Sequence, residues 1–306
     1  MSTAPSPQLT HDPERRRDLA HVGPVEVYTP ALEDSVDFFV RLMGLREVNR
    51  DATSVYLHTW DDYQAWTVRL IRRDAAGVGR TYLRAASRQA MQRVATGIES
   101  TGHGHGTVSN VPHLGRVYLF TDPDGHEYGL YWDSAWYRAD ATDRPASKNQ
   151  AAAYPGRGAN LRRLDHVNYR AADMPAVSMF LRDTLGARCT EQVVTDDGSP
   201  QAMWFSVGNK SYDLVYTGDR TAGLHHLAFA TDTREEILRA ADLCLDAGIR
   251  IETGPNEHAI QQTFYLYVSE PGGNRIELCN AGARLILAPD WPTVTWTREE
   301  RARGTM

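Results

Sequence analysis

No run of about 18 apolar residues occurs anywhere in the 306-residue chain, so nothing in it reads as a membrane-spanning helix. The opening stretch, MSTAPSPQLTHDPERRR, likewise lacks the apolar core of a secretory signal. A basic excess is missing too. Lys and Arg number 33 against 39 Asp and Glu, a formal charge of −6, which removes the electrostatic basis for binding nucleic acid or anionic lipid. Cysteine is scarce: Cys189, Cys244 and Cys279 are odd in number and widely spaced, so they read as buried free thiols rather than a disulfide framework or a CxxC zinc site. The expectation is a cytoplasmic protein with no nucleic-acid and no membrane partner. What is present, 42% hydrophobic and 24% charged residues with 24 Gly and 15 Pro, is a globular composition, and the length suits two domains.

The chain repeats itself. LAHVGPVEVYTPALEDSVDFFVRLMGLREV from Leu19 reads like LDHVNYRAADMPAVSMFLRDTLGARCTE from Leu164, and VYLFTDPDGHEYGLYW from Val117 reads like YLYVSEPGGNRIELCN from Tyr265. This pairs His21 with His166, Pro123 with Pro271 and Gly125 with Gly273. Each half divides again, because a strand-then-helix start recurs at Gly79 and at Gly223. In the last of these helices Thr233 is a cap with Glu236 at the third helical position, Ile237, Ala240, Ala241, Cys244 and Leu245 recur at helical steps, and Gly248 ends it. Gln201–Val207 and Ser211–Tyr216 are short and rich in aromatic and β-branched residues, hence strands. The fold class expected is α+β: two tandem domains, each of two βαβββ units forming an incomplete barrel. The boundaries are 17–135 for a non-catalytic domain, 136–163 for an Ala-, Gly- and Pro-rich linker, 164–282 for a catalytic domain and 283–306 for a tail.

A metal site built on strands needs ligands converging from separate strands, with room left for substrate. His166 begins the first strand of the third unit, His226 takes the matching place in LHHLAF of the fourth, and Glu277 lies on its final strand. Two imidazoles and a carboxylate on one face leave about three positions open, the arrangement of non-haem Fe(II) oxygenases. Isolated histidines are commonly surface or core residues, but the repeat puts these two at equivalent positions. Aligning LDHVNY with LHHLAF selects His226, and strand alternation turns His225 the other way.

With these residues in view, the sequence resembles the type I extradiol catechol dioxygenases of the vicinal oxygen chelate superfamily, over roughly residues 17 to 300. The most specific stretch is GPNEHAIQQTFYLYVSEPGGNRIE, Gly254 to Glu277, with the order His, Tyr nine residues on, Glu ten further on; KNQ…GRG…RRLDHVN from Lys148 is similar too. The resemblance implies Fe(II), or occasionally Mn(II), held by His166, His226 and Glu277. It also implies a catecholic substrate cleaved with O2 to a 2-hydroxymuconate-semialdehyde-type product, in aromatic catabolism, and a homo-oligomer, dimer or tetramer. His258 and Tyr267 would hydrogen-bond the bound substrate and oxygen. One position departs from the family. Where a KAHD-like stretch supplies an acid–base histidine, this chain has NKSYD, with Tyr212 in its place, and a phenol near pKa 10 moves protons less readily than an imidazole near 6.5. Tyr212 is therefore either a hydrogen-bonding substitute or a packing residue.

The same repeat places His21, Tyr82 and Gly129 where His166, His226 and Glu277 stand, so the first half is expected to bind no metal. The histidines of TGHGHGTVSNVPH, from Thr101, read as a solvated turn. Pro289-Asp290-Trp291-Pro292 of the tail either covers the pocket mouth or merely packs. Two other functions stay open: a glyoxalase-like isomerase on the same scaffold, and a protein that sequesters an aromatic ligand.

Overall fold

A computed structural model describes residues 17–280 and 292–302. Pro289, Asp290 and Trp291 lie outside the described residues. The first half runs β1 (Leu19–Thr29), α1 (Leu32–Asp37, continued by a π-helical turn over Phe38–Leu42), β2 (Arg46–Arg50), β3 (Ser54–His58) and β4 (Val68–Arg72), then β5 (Gly77–Ala85), α2 (Arg88–Glu99), β6 (Gly104–Val108), β7 (Val117–Thr121) and β8 (Glu127–Tyr131). The second runs β9 (Arg163–Ala171), α3 (Met174–Asp183), β10 (Arg188–Val194), β11 (Pro200–Ser206) and β12 (Leu214–Gly218), then β13 (Gly223–Thr231), α4 (Arg234–Asp246), β14 (Ile251–Glu257), β15 (Phe264–Ser269) and β16 (Arg275–Asn280). A short β17 (Val294–Trp296) and α5 (Arg298–Ala302) follow. These are four βαβββ units. In each, the first and last strands pair in parallel, and the two units of a half join through antiparallel first strands, β1 with β5 and β9 with β13.

The strand order of the second sheet is β14-β15-β16-β13-β9-β12-β11-β10-β17. Its two sides approach one another, because the loop after β14 reaches the far side: Ile260 packs with Val193 and Ala202 of β10 and β11, and Gln261 bonds Glu191. The sheet is thus curled around a cavity. Local signals explain the helices around it. Thr233 and Glu236 form a reciprocal capping box on α4, Ile237, Ala240, Ala241 and Cys244 are buried, and Gly248 takes φ +70°. Leu245 instead turns to solvent at 64% exposure. The histidine-bearing run from Thr101 forms edge strand β6, antiparallel to β7, rather than a turn. All three cysteines are buried free thiols.

Hydrogen-bond register corrects the alignment of the halves. Val25 pairs with Val68 and Thr81, as Val167 pairs with Leu214 and Leu227. Counting from these pairs sets Pro24 against His166, and Arg80, not Tyr82, against His226. Gly129 faces Tyr82 as Glu277 faces Ala228, so that equivalence stands. The AHV/DHV likeness at the strand start pairs residues that the sheet does not make equivalent. The first half has no ligand at any of the three places, and its interior is closed by Tyr56, Trp66, Tyr82, Leu114, Val117 and Tyr131. A Cβ at Gly129 would lie 2.6 Å from the Tyr82 ring.

The halves interlock through equivalent turns. Asp124 accepts from the Ala172 and Asp173 amides at the start of α3, and His126 Nε2 lies 3.1 Å from the Arg170 carbonyl. Reciprocally, buried Glu270 accepts from Ser35 Oγ (2.7 Å), and Asn274 Nδ2 donates to the Tyr28 carbonyl (2.9 Å). Glu270 also satisfies the Gly272 and Asn274 amides. Removing it strands several buried donors, so Glu270→Ala should cost about 2–4 kcal/mol and lower Tm by about 5 °C or more in thermal unfolding.

Candidate active site

His166, His226 and Glu277 stand on three adjacent strands, β9, β13 and β16. Ala228 pairs with both His166 and Glu277, which sets the three side chains around one small residue. His226 Nε2 is 3.0 Å from His166 Nε2 and 3.0 Å from Glu277 Oε2, and His166 Nε2 is 3.4 Å from that oxygen. All three residues are buried. For metal–ligand bonds of about 2.1 Å, the edges of an octahedral face are about 3.0 Å, so these donors fit a divalent ion without rearrangement. A second buried set, Asp165, His166 and Cys279, shares His166, and Lys210 Nζ already sits 3.5 Å from the Asp165 carboxylate.

Burial alone would raise the Glu277 carboxyl, but hydrogen bonds from His166, His226 and His258 overcome it and hold it well below the usual range. Burial pushes His226 down to about 3. Burial also opposes charge on His166, yet hydrogen bonds to Asp165 and Glu277 prevail and raise it to about 9. Asp165 Oδ2 lies 3.0 Å from His166 Nδ1, and Lys210 bridges Asp165 and Asp213. Strict alternation would send Asp165 to the opposite face from His166, but Ala228 pairs with His166 and Phe229 with Leu164, so Asp165 is the extra residue of a bulge and its carboxylate reaches the neighbouring ring.

The three other residues singled out in the sequence line the same pocket. His258 Nε2 is 3.2 Å from Tyr267 Oη and 3.5 Å from Glu277 Oε1. Its ring stacks on Tyr265 with centroids 3.7 Å apart. Arg275 lies 4.0 Å over the Tyr267 ring and pairs with Glu252. Tyr265 and Arg275 were readable from the sequence, each being two residues before a site residue on the same strand. Tyr212 lies in the loop between β11 and β12, buried, its ring edge-on to His166 at 4.9 Å. Burial raises both Tyr212 and Tyr267 well above the ordinary phenol value, so each is a hydrogen donor at neutral pH. Asn168, Trp204, Thr217 and Thr253 complete the wall, and Arg301 of α5 reaches it from the tail.

His225 departs from expectation. The pairs Leu224 with Tyr169 and His226 with Asn168 leave His225 as the extra residue of a bulge, so alternation fails there and its ring lies beside His226. The pocket encloses about 260 Å³. Ligand pockets commonly span roughly 300–1,000 Å³, so this one suits a single ring.

Residues 163–278 match the Glyoxalase/Bleomycin resistance protein/Dioxygenase superfamily model. A metapyrocatechase of Geobacillus stearothermophilus is 34% identical over 286 residues, covering 92% of this chain and 87% of that protein. A manganese-dependent 2,3-dihydroxybiphenyl 1,2-dioxygenase of Geobacillus genomosp. 3 is 31% identical, covering 94% and 93%. Homoprotocatechuate 2,3-dioxygenase of Arthrobacter globiformis superposes with a TM-score of 0.83 at 25% identity, covering 94% and 88%. Full-length similarity of this degree, on the same four-unit fold, means that the chain belongs to the type I extradiol catechol dioxygenases of the vicinal oxygen chelate superfamily.

Proposed function

We propose that the pocket binds a single-ring catechol at a divalent metal held by His166, His226 and Glu277, and that O2 opens the ring beside the two hydroxyls. The carrying observation is the buried face of two imidazole nitrogens and one carboxylate oxygen at octahedral-edge spacing. Fe(II) is the metal we assign, with Mn(II) as the substitute. When bound, the ion would acidify a chelating catechol and bring O2 beside the ring, so that electrons pass from ring to oxygen at one centre. The protein's own part is orientation and proton supply.

Tyr267, kept protonated by burial, donates a hydrogen bond toward a substrate oxygen, and Arg275 over its ring holds it in place. His258, fixed by stacking on Tyr265, is the imidazole best placed to move a proton. Tyr212 donates but does not act as a base. Both atoms of O2 end in the product, a semialdehyde-type acid, so no external reductant is needed.

Protein loaded anaerobically with Fe(II) and given catechol should consume O2 on admission of air and turn yellow. Activity without O2 would support an isomerase, and tight catechol binding with no O2 uptake a sequestering protein. His226→Ala should retain almost no metal by elemental analysis, whereas His21→Ala should leave one metal per chain. Two metals per wild-type chain would contradict the closed first half.

Tyr212→Phe tests the departure from the family. It should lower kcat by about 10–100-fold while KM stays within about threefold, since a hydrogen bond needed after O2 arrives affects turnover more than binding. Unchanged kinetics with a lower Tm would make Tyr212 a packing residue and leave proton transfer to His258.

A further inference from the structure

The bulge in β13 turns the His225 ring beside the ring of His226, with centroids 4.9 Å apart and planes at 67°. Their Nδ1 atoms are 2.7 Å apart, and one of the two must carry the hydrogen. His226 Nε2 faces His166 and Glu277 at 3.0 Å each, so it is the nitrogen that must offer a lone pair to a cation. The hydrogen of that ring then sits on Nδ1 and needs an acceptor. His225 Nδ1 is the partner in place.

We propose that His225 is the positioning residue of the metal centre: its Nδ1 accepts from His226 Nδ1–H and fixes the tautomer and rotation that aim His226 Nε2 at the ion. The proposal rests on the metal reading above. It makes the two histidine ligands unlike, for His166 is held by the carboxylate of Asp165 and His226 by a neutral ring. The neutral partner adds no second anion behind the site. His225 also lines, with Arg275, both the metal pocket and a neighbouring groove of about 740 Å³ between the halves. The bulge is what makes this possible, since a regular strand would put His225 on the opposite face.

Mn(II) is the probe, with free metal followed by electron paramagnetic resonance. His225→Leu keeps bulk but cannot accept, and should weaken Mn(II) binding about 10–100-fold. His225→Asn offers an amide oxygen in place of Nδ1 and should remain within about threefold of wild type. Melting of the metal-free variants checks that each is folded. Independently of any variant, 15N–1H spectra of Zn(II)-loaded wild type should show His226 protonated at Nδ1. Wild-type affinity in His225→Leu, equal losses in Leu and Asn, or a His226 ring without a hydrogen on Nδ1 would each overturn the proposal. A wild-type protein that binds no Mn(II) would overturn the metal reading itself.

Discussion

The pairing of Ala228 with both His166 and Glu277 is the constraint on which the site depends. Strand neighbours in a sheet are about 4.8 Å apart, so side chains from three adjacent strands reach a common point only when their register is exact. A slip of one residue would turn an entire strand's side chains to the other face. The extensive burial of β9, β13 and β16 is what specifies that register, since Leu227, Phe229, Ile276 and Leu278 would otherwise face the pocket.

Placing two histidines and a carboxylate in a dry interior is costly, and the surroundings offset it by alternating charge. Lys210 lies between Asp165 and Asp213, Asp165 faces His166, and His166 faces Glu277. Each buried group has an opposite or a hydrogen-bond partner, as such groups require. The first half resolves the same geometry differently. Gly129 replaces the acid, the Tyr82 ring occupies the space above it, and the interior becomes an aromatic core.

The two halves are held as one body by reciprocal turns. Asp122-Pro-Asp-Gly in the first and Glu270-Pro-Gly-Gly in the second each carry a buried carboxylate that organises its own turn, and each turn reaches the first strand or helix of the other half. The half without the two histidines and the carboxylate therefore still has a role, because it packs against the half that has them. Phe39 against Phe229 and Phe120 against Phe180 show the packing at that boundary.

The amino-acid sequence alone was enough for the four-unit architecture, because recurring strand-then-helix starts, Pro-x-Gly turns and capping signals are local and survive in one dimension. It also located His166, His226, Glu277, His258 and Tyr267, through their spacing and the family likeness, and the structure brings them into one pocket. It misaligned the halves, since equivalence along a strand is set by hydrogen-bond pairing, which puts Pro24 and Arg80 where His21 and Tyr82 had been read. It sent His225 to the wrong face because a bulge breaks the period of two that such readings assume. Asp165 escapes it for the same reason, since Ala228 pairs with His166 and Phe229 with Leu164, which leaves Asp165 as the extra residue of a second bulge, and Lys210 escapes it because its partner Asp165 lies on another segment, so that only the folded sheet decides which buried charges meet.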